Sequence, residues 1–224
     1  MPRLSRSEWY DLTRDMNWDL SYITEDEAFP PTLSNSFGVP AHDWWVWDEP
    51  YKITYTEYVH NQAGKDAGVY SVNNVLNRSH IFDNLKPGWK AAVIAHYGAI
   101  AVAEYQAGIG EARMGRFGRA AAWRNMATYG TLDETRHGQL QTYIPYQALA
   151  KEPRLDWAHK AYHTNEWGII AARHLFDDMF TANDAVSTAI QLTFTFETGF
   201  TNLQFLGMAA DAMKVGDFDF GALI

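Results

Sequence analysis

The sequence predicts an all-α protein, and two observations indicate this fold class. After Pro87, apolar residues recur at helical spacing in four long stretches, roughly 89–115, 120–148, 156–180 and 184–214. Before Pro87, prolines and aromatic clusters such as WWVW favour short helices and irregular segments. The chain has 224 residues, 47% of them hydrophobic, and can bury a sizeable core. We therefore divide it into an N-terminal arm, residues 1–86, that packs on a helical bundle, residues 87–224.

Proline and glycine mark the predicted ends of these helices. Pro87 suits the first turn of a helix, where its missing N–H removes no hydrogen bond. Pro145 is expected to kink or end the second helix, and Gly216 is expected to end the fourth. A last short helix is expected to begin near Asp217 or Asp219.

Three of the predicted helices carry side chains that commonly bind metal ions: Glu104, then Glu134 with His137, then Glu197. Glu134 and His137 are three residues apart, so both project from one helix face and can reach one ion. Carboxylate and imidazole ligands suit iron. A carboxylate-bridged pair of irons in a bundle usually takes a second Glu-x-x-His motif from a fourth helix. Because no such motif follows Glu197, we expect the site of the second iron to be incomplete.

Each candidate ligand lies on a helix face of small or apolar residues. Glu104 shares its face with Ile100, Ala103 and Ala107, and two glycines lie on the face of Glu134. An ionised carboxylate that points into a core is unfavourable unless it is paired or bound to a metal.

Simpler interpretations compete with a metal site. Glu104 could be a buried ion-pair partner of Arg113 or Arg136, and Glu197 could lie at the rim of the bundle. A second Glu-x-x-His pattern, Glu57 to His60, lies in the arm, where Thr, Ile, Val and a nearby Gly do not favour a long helix. We therefore predict that Glu57 and His60 are not ligands.

The composition excludes several classes of function. The formal net charge of −9 argues against a nucleic-acid surface, which gathers Lys and Arg on one face. The absence of cysteine excludes disulfides, thiolate zinc sites, iron–sulfur clusters and cysteine nucleophiles from this chain. The N-terminus shows no apolar secretory segment, and no stretch reaches about 18 consecutive apolar residues. We expect a cytoplasmic protein without a membrane span.

Six stretches of the sequence resemble a known family: SEWYDLTRDMNW, DEPYK, HYGAIAVAEYQA, RNMATYGTLDETRHGQLQ, YHTNEWGIIAARHLFDD and LTFTFETGFTNLQFLGMAADA. The chain resembles the large (alpha) subunit of the hydroxylase in bacterial toluene/arene monooxygenases, a group within the multicomponent carboxylate-bridged di-iron monooxygenases. The resemblance runs over essentially the whole chain and corresponds to the N-terminal half of that subunit. It implies a ferritin-like bundle that lacks its last ligand-bearing helix.

The resemblance also implies roles for individual residues. Glu104, Glu134 and His137 match the ligands of one iron, with Glu134 bridging. Glu197 matches a ligand of the other iron, and Thr201 matches an active-site threonine thought to help manage protons. Substrate-pocket positions are matched by Ile100, Ala103, Ala107, Phe176, Leu192, Phe196 and Phe205. Asn202 matches a position near a pore that responds to an effector protein.

The implied chemistry is hydroxylation of an aromatic hydrocarbon, such as toluene or benzene, by O2 at two carboxylate-bridged irons. Phenols and alkenes are alternative substrates. The implied partners are the remaining half of the large subunit, beta-type and gamma-type hydroxylase subunits, an effector protein, a Rieske-type ferredoxin and an NADH reductase.

Two other classes of protein stay open at this point. One is a ferritin-like iron-binding or oxidase protein, whose site would be lined by polar side chains. Phe176, Phe196 and Phe205 argue against it. The other is a catalytically incomplete structural half-subunit, because the family's second Glu-x-x-His motif has no counterpart in this chain.

Overall fold

The computed structural model describes residues 4–5, 7–8, 11–12, 22–28, 30, 53–182 and 184–223. These residues contain helices and no strand, so the predicted all-α class is confirmed. In chain order the elements are α1 (Glu25–Ala28), α2 (Tyr55–Leu76), α3 (Ile81–Asn84), α4 (Pro87–Phe117), α5 (Ala121–Ala148), a 3₁₀ helix (Pro153–His163), α6 (Trp167–Thr181), α7 (Ala185–Ala189), a π-helical segment (Ile190–Thr201), α8 (Asn202–Val215) and α9 (Phe218–Leu223). The tryptophan-rich part of the predicted arm lies outside the described residues, and the division at residue 86 stays a prediction.

Helices α4 and α5 form the centre of the bundle. Pro87 opens α4 in its first turn, as predicted, and α5 returns antiparallel beside α4 after a short connection at Gly118. The main core cluster joins the inward face of α4 to α6 and the π-helical segment. Its buried members are Ala99, Ile100, Ala103, Ala107, Met114, Ala127, Tyr162, Phe176, Met179, Leu192 and Phe196. The predicted ferritin-like bundle is therefore built around α4.

The third and fourth predicted helices are less regular than their sequence pattern indicates. The stretch 156–180 is divided into the 3₁₀ helix and α6, because Arg173 donates hydrogen bonds to the carbonyl oxygens of Tyr162 and Thr164, both at 2.7 Å. Those carbonyls bond a side chain instead of continuing a helix. The stretch 184–214 is continuous, but its middle part is π-helical.

Two of the predicted helix ends agree with the structure. Helix α5 continues to Ala148, so Pro145 lies in its last turn, close to the predicted end. Gly216 ends α8 in the left-handed conformation, with φ of 80°, which glycine adopts without steric strain.

The prediction that the segment around Glu57 does not form a long helix is wrong. Helix α2 begins with a capping box, in which the Thr54 side chain accepts from the Glu57 N–H and the Glu57 carboxylate accepts from the Thr54 N–H, both at 3.2 Å. This reciprocal cap stabilises the first turn and offsets the weak helix propensity of Thr, Val and Gly. The Glu57 carboxylate is bound at the cap and His60 is exposed, and their exclusion as ligands stays a prediction.

Within residues 53–182 and 184–223, none of the helices combines the length and apolar character required to cross a bilayer. This agrees with the absence of a long apolar run in the sequence.

Candidate metal centre

Two glycines allow α4 and α5 to approach each other at the candidate ligands. A Cβ atom added at Gly108 would lie 3.3 Å from Cβ of Glu134, and one added at Gly138 would lie 3.9 Å from Cβ of Glu104. Each ligand-bearing position of one helix therefore faces a glycine of the other. This reciprocal arrangement brings the two carboxylates into one space, because glycine leaves room for close backbone approach.

Glu104, Glu134 and His137 form a compact group of possible metal ligands. One ligand atom from each lies within 4.8 Å of the other two, and both glutamates are buried. Nδ1 of His137 is 3.6 Å from Oε2 of Glu104 and 3.5 Å from Oε2 of Glu134. Apart from this contact, neither carboxylate oxygen has a hydrogen-bond donor among the described residues. Two buried carboxylates and an imidazole are a suitable donor set for one iron.

The simpler interpretations of Glu104 do not match the structure. Arg113 donates to the backbone carbonyl oxygens of Phe180 and Ala182. Arg136 pairs with Asp66 and Asp133 on the other side of α5. Both arginines are thus engaged elsewhere, and His137 is the basic side chain that lies beside Glu104 among the described residues.

Electrostatics within the group favour a proton or a cation between the side chains. Burial disfavours the charged imidazolium, but the carboxylates of Glu104 and Glu134 outweigh it and raise the pKa of His137 to about 10. Burial raises the pKa of Glu134 to about 7, with His137 opposing and Glu104 adding to the rise. In the absence of a metal ion, the two neighbouring carboxyl groups therefore favour the protonated form of His137.

Glu197 borders this group without belonging to it. Burial and the carboxylate of Glu134 raise the pKa of Glu197 to about 7. Its Oε1 atom is buried and has no hydrogen-bond partner among the described residues, and the residue as a whole is partly buried. The role of Glu197 as a ligand of a second metal ion stays a prediction.

Glu111 lies seven residues after Glu104 on α4 and is a further partly buried carboxyl group beside the site. Burial and the charges of Glu134 and Glu197 raise its pKa to about 8. A Cβ atom at Gly130 would lie only 2.5 Å from the Glu111 carboxyl carbon, so this glycine makes room for the carboxyl group. The pairing of a glutamate on α4 with a glycine on α5 was the signal that could have marked Glu111.

The metal-free protein is expected to lose stability as the pH rises from about 5 to 8. Glu111, Glu134 and Glu197 have folded-state pKa values of about 7 to 8, above the ordinary value of 4.5. Across this interval the unfolded chain releases protons that the folded chain still holds, so the free energy of unfolding falls, by on the order of a few kcal/mol. Chemical denaturation of the metal-free protein at several pH values checks this. A free energy of unfolding that rises through the interval would contradict the raised pKa values.

The predicted substrate-pocket residues come together in one apolar cluster. Ile100, Ala103, Ala107, Phe176, Leu192 and Phe196 are buried, and Phe205 packs against them. The rings of Phe176 and Phe196 have centroids 4.9 Å apart. We call this cluster the aromatic chamber. Ala103 and Phe196 are sequence neighbours of Glu104 and Glu197, so the aromatic chamber adjoins the ligand group.

The π-helical segment positions Glu197, Thr201 and Asn202. Thr198 donates from its hydroxyl to the carbonyl oxygen of Thr193, five residues earlier, at 2.9 Å, in keeping with the wider π turn. Thr201 is buried, and its Oγ1 has no hydrogen-bond partner among the described residues. Asn202 is exposed at the start of α8.

Comparison with known proteins identifies the family. Residues 18–224 match the methane/phenol/alkene hydroxylase family. The chain belongs to this family. It is 38% identical over 224 residues to the alkene monooxygenase system oxygenase component subunit alpha of Xanthobacter autotrophicus strain Py2. This match covers 100% of this chain and 45% of the relative. It is 28% identical over 209 residues to the phenol 2-monooxygenase oxygenase component of Pseudomonas sp. strain CF600, covering 92% of this chain and 39% of the relative. This methane/phenol/alkene hydroxylase chain therefore spans less than half the length of these two curated relatives.

Solved structures share the helical architecture of this hydroxylase-family chain. Phenol hydroxylase from Pseudomonas sp. OX1 superposes with a TM-score of 0.78 at 25% identity, covering 98% of this chain and 44% of that one. A chain of toluene 4-monooxygenase, in a structure with toluene in the resting active site, superposes with a TM-score of 0.82 at 17% identity, covering 100% and 76%. The second likeness concerns the fold alone. Membership of this di-iron carboxylate family implies iron as the cofactor, and Glu104, Glu134 and His137 fit it.

Proposed function

We propose that this chain is the N-terminal part of the large subunit of a hydroxylase that inserts one oxygen atom of O2 into an aromatic hydrocarbon such as toluene or benzene. The observation that carries the proposal is the convergence of Glu104, Glu134 and His137 beside the aromatic chamber. In the overall reaction the hydrocarbon, O2, two electrons and two protons give the hydroxylated product and water. NADH supplies the two electrons.

When bound, iron would supply the activation of O2, a chemistry to which carboxylate and imidazole ligands are suited. Glu104, Glu134 and His137 would hold one iron. Glu197 and Glu134 would contribute to the second, together with ligands from the remaining half of the large subunit. His137 must release its extra proton when it binds metal, so iron binding is coupled to proton release.

The aromatic chamber holds the substrate and excludes water. Phe176, Phe196 and Leu192 are fully buried, and their apolar side chains would surround a planar ring. Exclusion of water protects a reactive oxidant from side reactions. A polar-lined iron-storage or oxidase site has no need of such a chamber, so we prefer the hydroxylase to the ferritin-like alternative.

Thr201 holds a proton next to the reacting groups. Its hydroxyl is buried, lies one helical turn from Glu197 and accepts or donates no hydrogen bond within the described residues. A free hydroxyl in this position can donate to a developing negative charge and recover the proton from a neighbouring carboxyl group.

An alkene is the second candidate substrate. The relative with 38% identity is named as an alkene monooxygenase component, and a small alkene is apolar and fits the same chamber. Phenol is a third candidate, since a relative with 28% identity is named as a phenol 2-monooxygenase component.

Other proteins are expected to cover parts of this chain. Large apolar side chains are exposed on α4, on the π-helical segment and on α8: Tyr105, Ile109, Ile190, Phe194, Leu203 and Leu206. Apolar patches of this kind usually mark interaction surfaces. We assign them to the remaining half of the large subunit and to beta-type and gamma-type subunits. Asn202 is assigned to effector contact, and a Rieske-type ferredoxin and an NADH reductase deliver the electrons.

The reassembled hydroxylase tests this function. The chain is combined with the remainder of the large subunit and the partner proteins, supplied with NADH and isotopically labelled O2, and offered toluene, phenol and propene separately. One labelled oxygen atom in a product of toluene is expected. Oxidation of propene with no toluene product would select the alkene candidate. Bound iron without any oxygenated product would overturn the monooxygenase proposal.

A further inference from the structure

Helix α2 lies along α5 through a seam of polar and aromatic side chains. Tyr58 stacks on Tyr129 with ring centroids 4.9 Å apart. Further along, Tyr70 meets Tyr143 edge-on at 5.0 Å. Near the end of α2, Asn77 donates to Gln147 at 3.4 Å. The contacts advance in the same direction on both helices, so α2 and α5 run parallel. We call these contacts the α2–α5 seam.

The strongest polar contacts of the α2–α5 seam fall on two residues of α5. The Tyr58 hydroxyl donates to Oδ1 of Asp133 at 3.0 Å, and the Gln62 amide donates to the same oxygen at 2.8 Å. Arg136 donates to Oδ1 of Asp66 at 2.9 Å and lies 3.7 Å from Asp133. The Tyr58 hydroxyl remains a donor, because burial and the Asp133 carboxylate raise its pKa above the ordinary range.

Asp133 and Arg136 immediately precede Glu134 and His137. The four residues belong to one turn of α5, so their side chains rotate together about the helix axis. Asp133 and Arg136 are bound on the α2 side, while Glu134 and His137 point to Glu104 on α4. If the contacts of Asp133 and Arg136 with α2 change, the ligand atoms of Glu134 and His137 on the α4 side are therefore expected to move.

Helix α2 also packs against α9, and Asn73 of α2 and Phe220 of α9 line the same pocket. Tyr58 and Asn73 are the buried residues of α2 among those whose side chains are described, and the polar contacts are concentrated at the ligand turn. We propose that Tyr58, Gln62 and Asp66 are positioning residues that hold the Asp133–His137 turn in the orientation in which Glu134 and His137 share a metal ion with Glu104. This inference rests on the proposed metal site.

Metal affinity and spectroscopy of the reassembled hydroxylase test the inference. Tyr58→Phe keeps the ring that stacks on Tyr129 and removes one donor to Asp133, and Asp66→Asn weakens the hold on Arg136. The double variant is expected to bind iron about 10- to 100-fold more weakly, because this is the usual loss of affinity when a group that orients a metal ligand is removed. The Mössbauer spectrum of the bound iron is expected to shift, since a rotated imidazole changes the ligand field.

Tyr70→Phe is the matched control. It removes a hydroxyl from the same helix and the same seam, but the Tyr70 ring meets Tyr143 and not Asp133. Iron affinity and spectrum are expected to equal those of the unmodified protein. An equal loss in Tyr70→Phe and in the double variant would show that α2 acts only on general stability and would overturn the inference.

A second variant covers the case in which the double variant folds poorly. Gln62→Glu replaces the amide donor by a carboxylate facing Asp133, and repulsion is expected to turn the ligand site without removing packing volume. Unchanged iron affinity and spectrum in folded Gln62→Glu or in the double variant would overturn this inference and leave the proposed function standing. An unmodified protein that binds no iron through Glu104, Glu134 and His137 would instead overturn the proposed function.

Discussion

His137→Ala is expected to weaken iron binding by more than about 100-fold, because even groups that only orient a metal ligand contribute factors of about 10 to 100. His137 is the imidazole of the ligand group, and its Nδ1 lies within 3.6 Å of both partner carboxylates. Its loss leaves Glu104 and Glu134 facing each other without a cation. Turnover of the reassembled hydroxylase is expected to be abolished. Iron content after dialysis and product formation measure the two effects.

His60→Ala is the control for this substitution. His60 occupies the same position in a Glu-x-x-His pattern, but it is exposed on α2 and its partner Glu57 is bound in the helix cap. Iron content and turnover should stay at the level of the unmodified protein. Unchanged turnover in His137→Ala, or an equal loss in His60→Ala, would refute the role given to His137.

Phe196→Ala is expected to lower the free energy of unfolding by about 3–5 kcal/mol, the usual cost of removing a buried phenylalanine side chain. Phe196 is fully buried in the aromatic chamber and contacts Phe176 at 4.9 Å and Phe200 at 6.0 Å between ring centroids. The cavity is expected to loosen the chamber and to admit water, so product yield per NADH should fall. Chemical denaturation and product quantification measure these effects.

Phe194→Ala is the control, because it removes the same type of side chain from an exposed position and so shows how much of the lost stability comes from burial. Phe194 lies in the same π-helical segment but is 68% exposed, and exposed substitutions usually change stability by less than about 0.5 kcal/mol. A destabilisation as large as that of Phe196→Ala would show that the described burial of the segment is wrong.

Helix positions and the ligand group could be predicted because they depend on local patterns. The opening of α4 at Pro87 and the end of α8 at Gly216 follow from the backbone preferences of proline and glycine. The meeting of Glu104 with Glu134 and His137 follows from inward stripes on neighbouring helices. The iron ligand roles, however, came from a family resemblance as well as from spacing, and the assignment of individual site residues stays a prediction.

Other features depend on contacts between distant parts of the chain. The capping box of α2 needs only local residues and could have been read from Thr54 and Glu57, but the contacts of α2 with Asp133 and Arg136 could not. The division of the third predicted helix depends on Arg173 reaching back to two carbonyl groups. The apolar period alone does not distinguish α from π geometry over so short a segment.

The π-helical segment also determines how this region tolerates changes in length. A π turn holds about one residue more than an α turn, since its hydrogen bonds span five residues instead of four. Deletion of one residue between Ile190 and Glu197 would allow one π turn to become an ordinary α turn, and the residues that follow would keep their direction about the axis. The same deletion within the α-helical part, between Asn202 and Val215, would instead turn the following side chains by roughly 100°. In an alignment of relatives, a single-residue gap is therefore expected to be tolerated in the π-helical segment and not in α8.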